Sequence, residues 1–443
     1  MAEREKWGSK LGFVLACVGA AVGLGNVYLF PWRMQENGGA AFLIIYLFLM
    51  VSICVTGLVQ EFALGRGTGR GAIGAFRAVF EKRKAKAGPI GAILGIIPIV
   101  ATWGVLVFYL VIMGWIFRSF GGSVTQLFGG QTVTQALEGF KFSSASIPWH
   151  FLAILLTLGI VLLGVRKGIE RANKIFLPVL LVVFVILIIR GLTLPGASEG
   201  IAFVLKPQWE YFFKIKTWAI ALSQGFFSVC LGGASMVVFG SYLPKNRDLT
   251  KAAFQTAGLD TIVAIMAALM IFPAAFAVGV EASPGSGILF NTVPRVFETM
   301  GFFGSILNFL FWLSMVFVVL SSSIALMEAP TEAIMDKFKT SRKVSALIIA
   351  GATWLASFFM TTNPKIFGPV TNIVPGYLVP LGAILSGITF YWVLDKESAM
   401  VSIKEGLEWK VFGEKWFYYY GKYVFVIASF SILALSLIWG IHG

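Results

Sequence analysis

Residues 19–39 read GAAVGLGNVYLFPWRMQENGG, an apolar stretch interrupted by Gly23, Gly25, Asn26 and Pro31. A lipid-facing helix gains nothing from a helix breaker and a buried amide where hydrocarbon should lie. Inside a membrane every freed backbone N–H and C=O must find a partner, so irregular backbone is tolerated only where protein buries it or where it lines a cavity. The stretch therefore predicts a broken transmembrane helix whose exposed carbonyls and N–H groups form a binding site.

The rest of the chain agrees with a membrane setting. Of its 443 residues 58% are hydrophobic and only 13% charged, with a mean hydropathy of +0.85. So few polar residues cannot cover a soluble domain, and a polytopic membrane protein follows. The net charge of +14 sits mostly in short loops between apolar runs, which makes it topology information and not a nucleic-acid footprint. Cys17, Cys54 and Cys230 all lie within apolar runs, and His150 and His442 lie at segment ends. Neither a disulfide framework nor a histidine metal centre is expected. The start MAEREKWGSK leads into a span too long and too interrupted for a cleavable signal peptide.

Eleven apolar runs long enough to span fall at roughly 11–32, 40–64, 88–120, 148–165, 174–193, 216–242, 253–280, 302–335, 344–361, 368–394 and 417–440. Each loop after an even-numbered run is basic: Arg66 to Lys86, Arg166 to Lys174, Lys245 to Lys251, and Lys337 to Lys343. Basic loops stay cytoplasmic, so the N-terminus is placed inside and the C-terminus outside. The opposite loops, GGSVTQLFGGQTVTQ and EASPGSG before NTVPRVFETMGFFG, are poor in charge and suit either an entrance cap or a simple connection. DKESAMVSIKEGLEWKVFGEKW, between the last two runs, reads as an inner-surface segment.

A second interrupted segment opens the sixth run, ALSQGFFSVCLGGASMVVFGSY, with Gly225, Gly232 and Gly233 around Ser228 and Cys230. Runs 1 and 6 each open a group of five, and an odd number of spans inverts the second copy. Interrupted spans at matching positions of two inverted halves point to a transporter site. Close packing through small residues would explain the glycines, though not Asn26 with Pro31. Three hydroxyls, Ser321 to Ser323, lie inside the eighth run, and uncharged oxygens of this kind suit a hard cation. Asp260 in the seventh run is the costliest residue, since a buried carboxylate calls for a cation or a proton.

GNVYLFPW, QENGGAAF and, in the second run, QEFALGRG together resemble the signature of neurotransmitter:sodium symporters, over about Arg4 to Leu394. The resemblance implies an all-α fold of eleven transmembrane helices in a 5+5 inverted repeat, with helices 1 and 6 broken. It divides the chain into a cytoplasmic gate segment at 1–10, repeats at 11–200 and 201–396, and a loop with the last helix at 397–443. It further implies two sodium sites in a plasma-membrane importer. The first takes Ala21, Asn26, Ser228 and, where a neutral amide is usual, Asp260; the second takes the Gly19, Val22 and Val318 carbonyls with Ser321 and Ser322. An amino acid would lie between them, its carboxylate on the N–H groups of Leu24 and Gly25 and on Tyr109. Its ammonium would meet carbonyls of Ala21, Phe227 and Ser228, and its side chain would meet Val105, Tyr109, Phe227, Cys230, Gly233, Ser322 and Leu326. Gly23 leaves room for that carboxylate, and Gly233 suggests a large apolar or aromatic side chain. With a carboxylate at Asp260, chloride is not expected. Arg4 and Trp7 would close the inner gate against Asp336.

The pattern also departs from the family. Leu29 and Thr371 stand where an Arg and an Asp usually pair across the outer vestibule, and Arg33 has no aligned acidic partner. Cargo therefore stays open to a non-standard amino acid or another small solute, and a sensor that binds without transporting remains an alternative. An enzyme is not expected, since Cys230 has no neighbouring base and no carboxylate pair or metal motif appears. The sequence leaves the oligomeric state open.

Overall fold

The computed structural model describes residues 5–280, 285, 287–406 and 414–440. Within them nine helices are long and apolar enough to cross a membrane. These are α3 (Ala40–Thr68), α4 (Ala85–Leu127), α5 (Ser144–Leu162), α6 (Val165–Leu192), α9 (Leu249–Ala277), α10 (Gly301–Phe338), α11 (Arg342–Thr362), α12 (Pro364–Val393) and α13 (Trp416–Trp439). A tenth span is a bent pair, α1 (Lys10–Ala21) and α2 (Gly25–Glu36), turning through 53°. α7 (Ile215–Ser228) and α8 (Ser235–Ser241) are a second pair of helices separated by a short non-helical stretch. The chain is thus an all-α membrane protein with its first and sixth spans broken.

The break in the first span is narrower than the sequence suggests. It is confined to Val22, Gly23 and Leu24, and Pro31 lies inside α2. The wide turn at Gly25–Leu29, closed by the Phe30 N–H on the Gly25 carbonyl, accommodates a proline that has no N–H to give. α4 runs well past the expected end at residue 120. Its stretch Gly88–Leu127 has 40 residues, about 60 Å at 1.5 Å per residue, so it tilts or protrudes from a hydrocarbon layer about 30 Å thick. Side-chain caps start several helices: Ser9 accepts from Gly12 N in α1, Asp248 from Lys251 N in α9, and Ser341 from Val344 N in α11.

Burial separates an inner from an outer set. The most apolar stretches of α4 and α10 are 72% buried, whereas that of α6 is only 33% buried and presents Val182 and Ile189 outward. In water such a face would aggregate; in lipid it is the solvated side. α4 and α10 pack along each other, and α1 lies against α6, α9 and α10. Both breaks therefore fall in the protected interior, where freed backbone groups are reachable only by protein or a ligand.

Candidate binding site between the broken helices

The two breaks are tied to each other. The backbone from Val229 to Ala234 leaves the helix through left-handed conformations at Cys230 (φ 56°), Gly232 (φ 76°) and Ala234 (φ 59°). Gly232 has no alternative: a Cβ there would lie 2.1 Å from the Val379 carbonyl oxygen. Its N–H donates to Oε1 of the wholly buried Glu61 at 2.9 Å. Cys230 Sγ donates to the Ala20 carbonyl at 3.3 Å. Gln224 Nε2 donates to the Gly25 carbonyl, and Arg33 donates to Gln224 Oε1, both at 2.8 Å.

One oxygen cluster surrounds Asp260, which is fully buried. Asn26 Nδ2 donates to Asp260 Oδ1 at 2.8 Å and to the Asp260 carbonyl at 3.0 Å. The Ser228 hydroxyl donates to Oδ2 at 2.8 Å, and Tyr46 OH donates to the same oxygen at 3.2 Å. Asn26 Oδ1 accepts from Gly23 N at 3.0 Å. The hydrogen bonds on the carboxylate thus come from neutral donors, so its charge suits a small cation alongside. Asn26, Ser228 and Asp260 were expected together; Tyr46 was not, although a hydroxyl in the apolar run AAFLIIYLFL was its visible trace.

A second cluster joins α1 to α10. The one hydrogen of the Ser322 hydroxyl is shared between the Val22 carbonyl at 2.9 Å and the Gly19 carbonyl at 3.2 Å. The Ser321 hydroxyl donates to the Val318 carbonyl at 2.8 Å. All five expected members meet here, and they offer uncharged oxygens only, the ligand class of a hard monovalent cation.

Between the clusters lies a cavity of about 530 Å³, counting its mouth. Its walls include Ala21, Gly23, Leu24, Gly25, Val105, Tyr109, Phe227, Ser228, Cys230, Gly233, Ser322 and Leu326, every residue expected around a substrate. Ala20, Leu231 and Ser235, within the two interrupted segments, and Thr102 and Val379, outside every motif and brought in by packing alone, complete it. Tyr109 OH is buried beside the Ser322 hydroxyl and the Leu24 backbone, with no well-formed hydrogen bond to either. A Cβ on Gly23 would lie 2.7 Å from Ser322 Oγ and 3.2 Å from Tyr109 OH, so only glycine keeps the space between them open. Phe227 packs over Gly25, whose Cβ would come within 3.2 Å of its ring. A Cβ on Gly233 would face Thr102 Oγ1 at 3.2 Å, so Thr102 narrows the gap that the glycine leaves.

Leu29 is buried, and the Thr371 hydroxyl bonds to the Gly368 carbonyl of its own helix. Arg33, 3% exposed, reaches inward to Gln224 instead of to a carboxylate on α12. At the other end, Trp7 donates its indole N–H to the Phe239 carbonyl at 3.1 Å, so that donor does not serve Asp336. Asp336 lies 3.3 Å from Lys339 Nζ, and Arg4 lies outside the described residues. Instead, Glu5 pairs with Arg342 Nε at 2.8 Å, and Arg342 grips Glu328 at 2.6 and 2.9 Å, with Tyr242 OH on the same carboxylate at 2.8 Å. In the loop joining α4 to α5, Lys141 Nζ sits 4.2 Å from the Phe290 ring centre and 5.5 Å from that of Trp115. Burial there pulls its pKa down to about 8.

The family model described as the sodium:neurotransmitter symporter family matches residues 4–139 and 122–441. An uncharacterized sodium-dependent transporter of Methanocaldococcus jannaschii is 31% identical over 441 residues, covering 92% of this chain and 87% of its own length. The uncharacterized sodium-dependent transporter YhdH of Bacillus subtilis is 32% identical over 437 residues, covering 93% of each chain. The crystal structure of MhsT in complex with L-phenylalanine matches with a TM-score of 0.85 at 34% identity, over 97% of this chain and 99% of that one.

Proposed function

Since the chain belongs to the sodium:neurotransmitter symporter family, we propose that it imports an amino acid with a large apolar or aromatic side chain, coupled to two sodium ions and independent of chloride. The observation that carries this reading is the buried Tyr109 hydroxyl, with Ser322 and the Leu24 backbone beside it, facing the space that only glycine at residue 23 leaves open. A substrate carboxylate there satisfies Tyr109 and meets the N–H groups of Leu24 and Gly25 where the backbone leaves the helix. The ammonium turns to the carbonyls of Ala21, Phe227 and Ser228. The cavity between Val105, Gly233, Thr102 and Leu326 takes the side chain, and MhsT, similar over nearly its whole length, was solved with L-phenylalanine.

The first sodium lies against Asp260, Asn26, Ser228 and Ala21, and the second displaces the hydroxyl hydrogens of Ser321 and Ser322 from the carbonyls of Gly19, Val22 and Val318. Asp260 supplies the negative charge that chloride would otherwise bring, and its protonation on the return step permits proton antiport. Phe227 closes over the loaded site from outside. The first, second, sixth and seventh spans then rock against the third, fourth, eighth and ninth, and opening inward requires release of the Glu5, Arg342 and Glu328 contacts. In this reading the N-terminus is cytoplasmic, the C-terminus is outside, and the membrane is the plasma membrane. One net charge crossing 100 mV yields about 2.3 kcal/mol, so two sodium ions with a zwitterion gain about twice that before the sodium gradient is counted, and about half of this remains when the return step carries a proton outward.

Thermal unfolding of the purified chain, screened against amino acids and carboxylate-free amines in sodium chloride, sodium gluconate and choline chloride, tests the assignment. The expected result is stabilisation by aromatic or large apolar amino acids in both sodium salts and not in choline. Stabilisation by amines, or only with chloride, contradicts it.

A further inference from the structure

The second oxygen cluster has a neighbour on a third helix. Asn173, on α6, is 1% exposed. Its Nδ2 donates to the Ile169 carbonyl of the same helix at 2.8 Å, but its Oδ1 is buried with no hydrogen-bond partner. That oxygen bears directly on the cluster. A Cβ built on Gly19 would lie 1.8 Å from Asn173 Oδ1, and the same point is 3.3 Å from Ser321 Cβ. The orphan oxygen therefore fills the corner between Gly19 and Ser321, two members of the cluster, and any side chain at residue 19 would displace it.

A buried amide oxygen without a donor is costly and calls for an explanation, either a local strain or a ligand. The cluster itself offers five oxygens, whereas hard cations of sodium's size commonly gather six. A carboxamide oxygen is the same kind of neutral ligand as the backbone carbonyls already there. We infer that Asn173 supplies a sixth oxygen to the second sodium site and so makes α6 part of the ion's shell. This rests on the two-site reading above. It also gives Gly19 a second duty beyond its carbonyl: its bare α-carbon is what lets the Asn173 oxygen approach. Because α6 is otherwise the most lipid-exposed of the long spans, a buried polar contact from it to α1 makes the ion a link between the two.

The test is an equilibrium titration that involves no transport. The full chain in lipid nanodiscs, without amino acid, is followed by thermal unfolding while sodium replaces choline at constant ionic strength, with lithium as a second series. Asn173→Ala is expected to raise the sodium concentration at half-stabilisation at least tenfold while leaving the unfolding temperature in choline unchanged. Asn173→Asp is expected to lower that concentration and to change the sodium-to-lithium ratio. Asn173→Ala within twofold of the wild-type chain overturns the inference. Should the alanine variant fail to fold, Asn173→Asp with an unchanged half-point and ratio overturns it equally. A wild-type chain indifferent to sodium overturns the sodium-site reading as well, which separates the two failures.

Discussion

Replacing Gly23 by alanine tests the centre of the site with a single methyl group. The added carbon would lie 2.7 Å from Ser322 Oγ and 3.2 Å from Tyr109 OH, both too close. The cheapest escape is for the Ser322 hydroxyl to rotate, which gives up its bonds to the Gly19 and Val22 carbonyls at 3.2 and 2.9 Å. Its one hydrogen is shared between the two carbonyls, so at about 1 kcal/mol net for a hydrogen bond the loss is about 1 kcal/mol, or about 5-fold in an equilibrium constant. The methyl also takes space meant for the substrate carboxylate, so the estimate is a lower bound for substrate. Equilibrium binding of tritiated phenylalanine or tryptophan at fixed sodium, and of sodium at fixed substrate, measures both. Gly159→Ala, where a Cβ meets nothing within 4 Å, is the control and should bind as the wild-type chain does. A Gly23→Ala chain within threefold of wild type in both titrations refutes the carboxylate position and the role of Ser322 together.

Glu61→Ala strands the Gly232 N–H in the interior and should cost about 1–3 kcal/mol of stability, read as a lower unfolding temperature that Glu61→Gln largely restores; equal behaviour of the two variants contradicts the role given to the 2.9 Å bond. Asp260→Asn removes the charge from the first cluster and is expected to make sodium-driven binding respond to chloride; indifference to gluconate replacement in the variant contradicts that division of labour. For Lys141, depression of the pKa to about 8 means that the folded chain holds fewer protons than the unfolded one between about pH 8 and the ordinary lysine value near 10.4. Stability should therefore rise with pH across that window and be flat in this respect below it. Lys141→Met should lose the rise, which unfolding temperatures between pH 7.5 and 10.5 will show.

What the sequence discloses, and what it hides, follows from what each signal costs. A glycine-rich break with Asn26 and an unpaired Asp260 is expensive in lipid, so both were visible as a site, and they meet in the structure within one hydrogen-bonded cluster. Tyr46, Thr102 and Val379 cost nothing in an apolar run, and only the packing of α3, α4 and α12 against the breaks gives them a place. Glu61 carried the same burial cost as Asp260, yet position along one helix does not tell which other helix it faces; the answer, the Gly232 N–H, lies 171 residues away. The family pattern is least informative at the two ends. Leu29 and Thr371 leave no outer ion pair, and Arg33 turns to Gln224, a contact within the moving helices. The inner contacts run through Glu5, Arg342 and Glu328, residues that only the meeting of the N-terminal segment with α10 and α11 brings together.

The central claim is that sodium and an amino acid cross together. Proteoliposomes containing the full chain, loaded with potassium and made negative inside with valinomycin, should accumulate labelled phenylalanine or tryptophan when external sodium is present. Accumulation should persist in gluconate and vanish in choline. Binding that depends on sodium without accumulation above the equilibrium level would contradict symport, and accumulation indifferent to sodium would contradict the ion sites themselves.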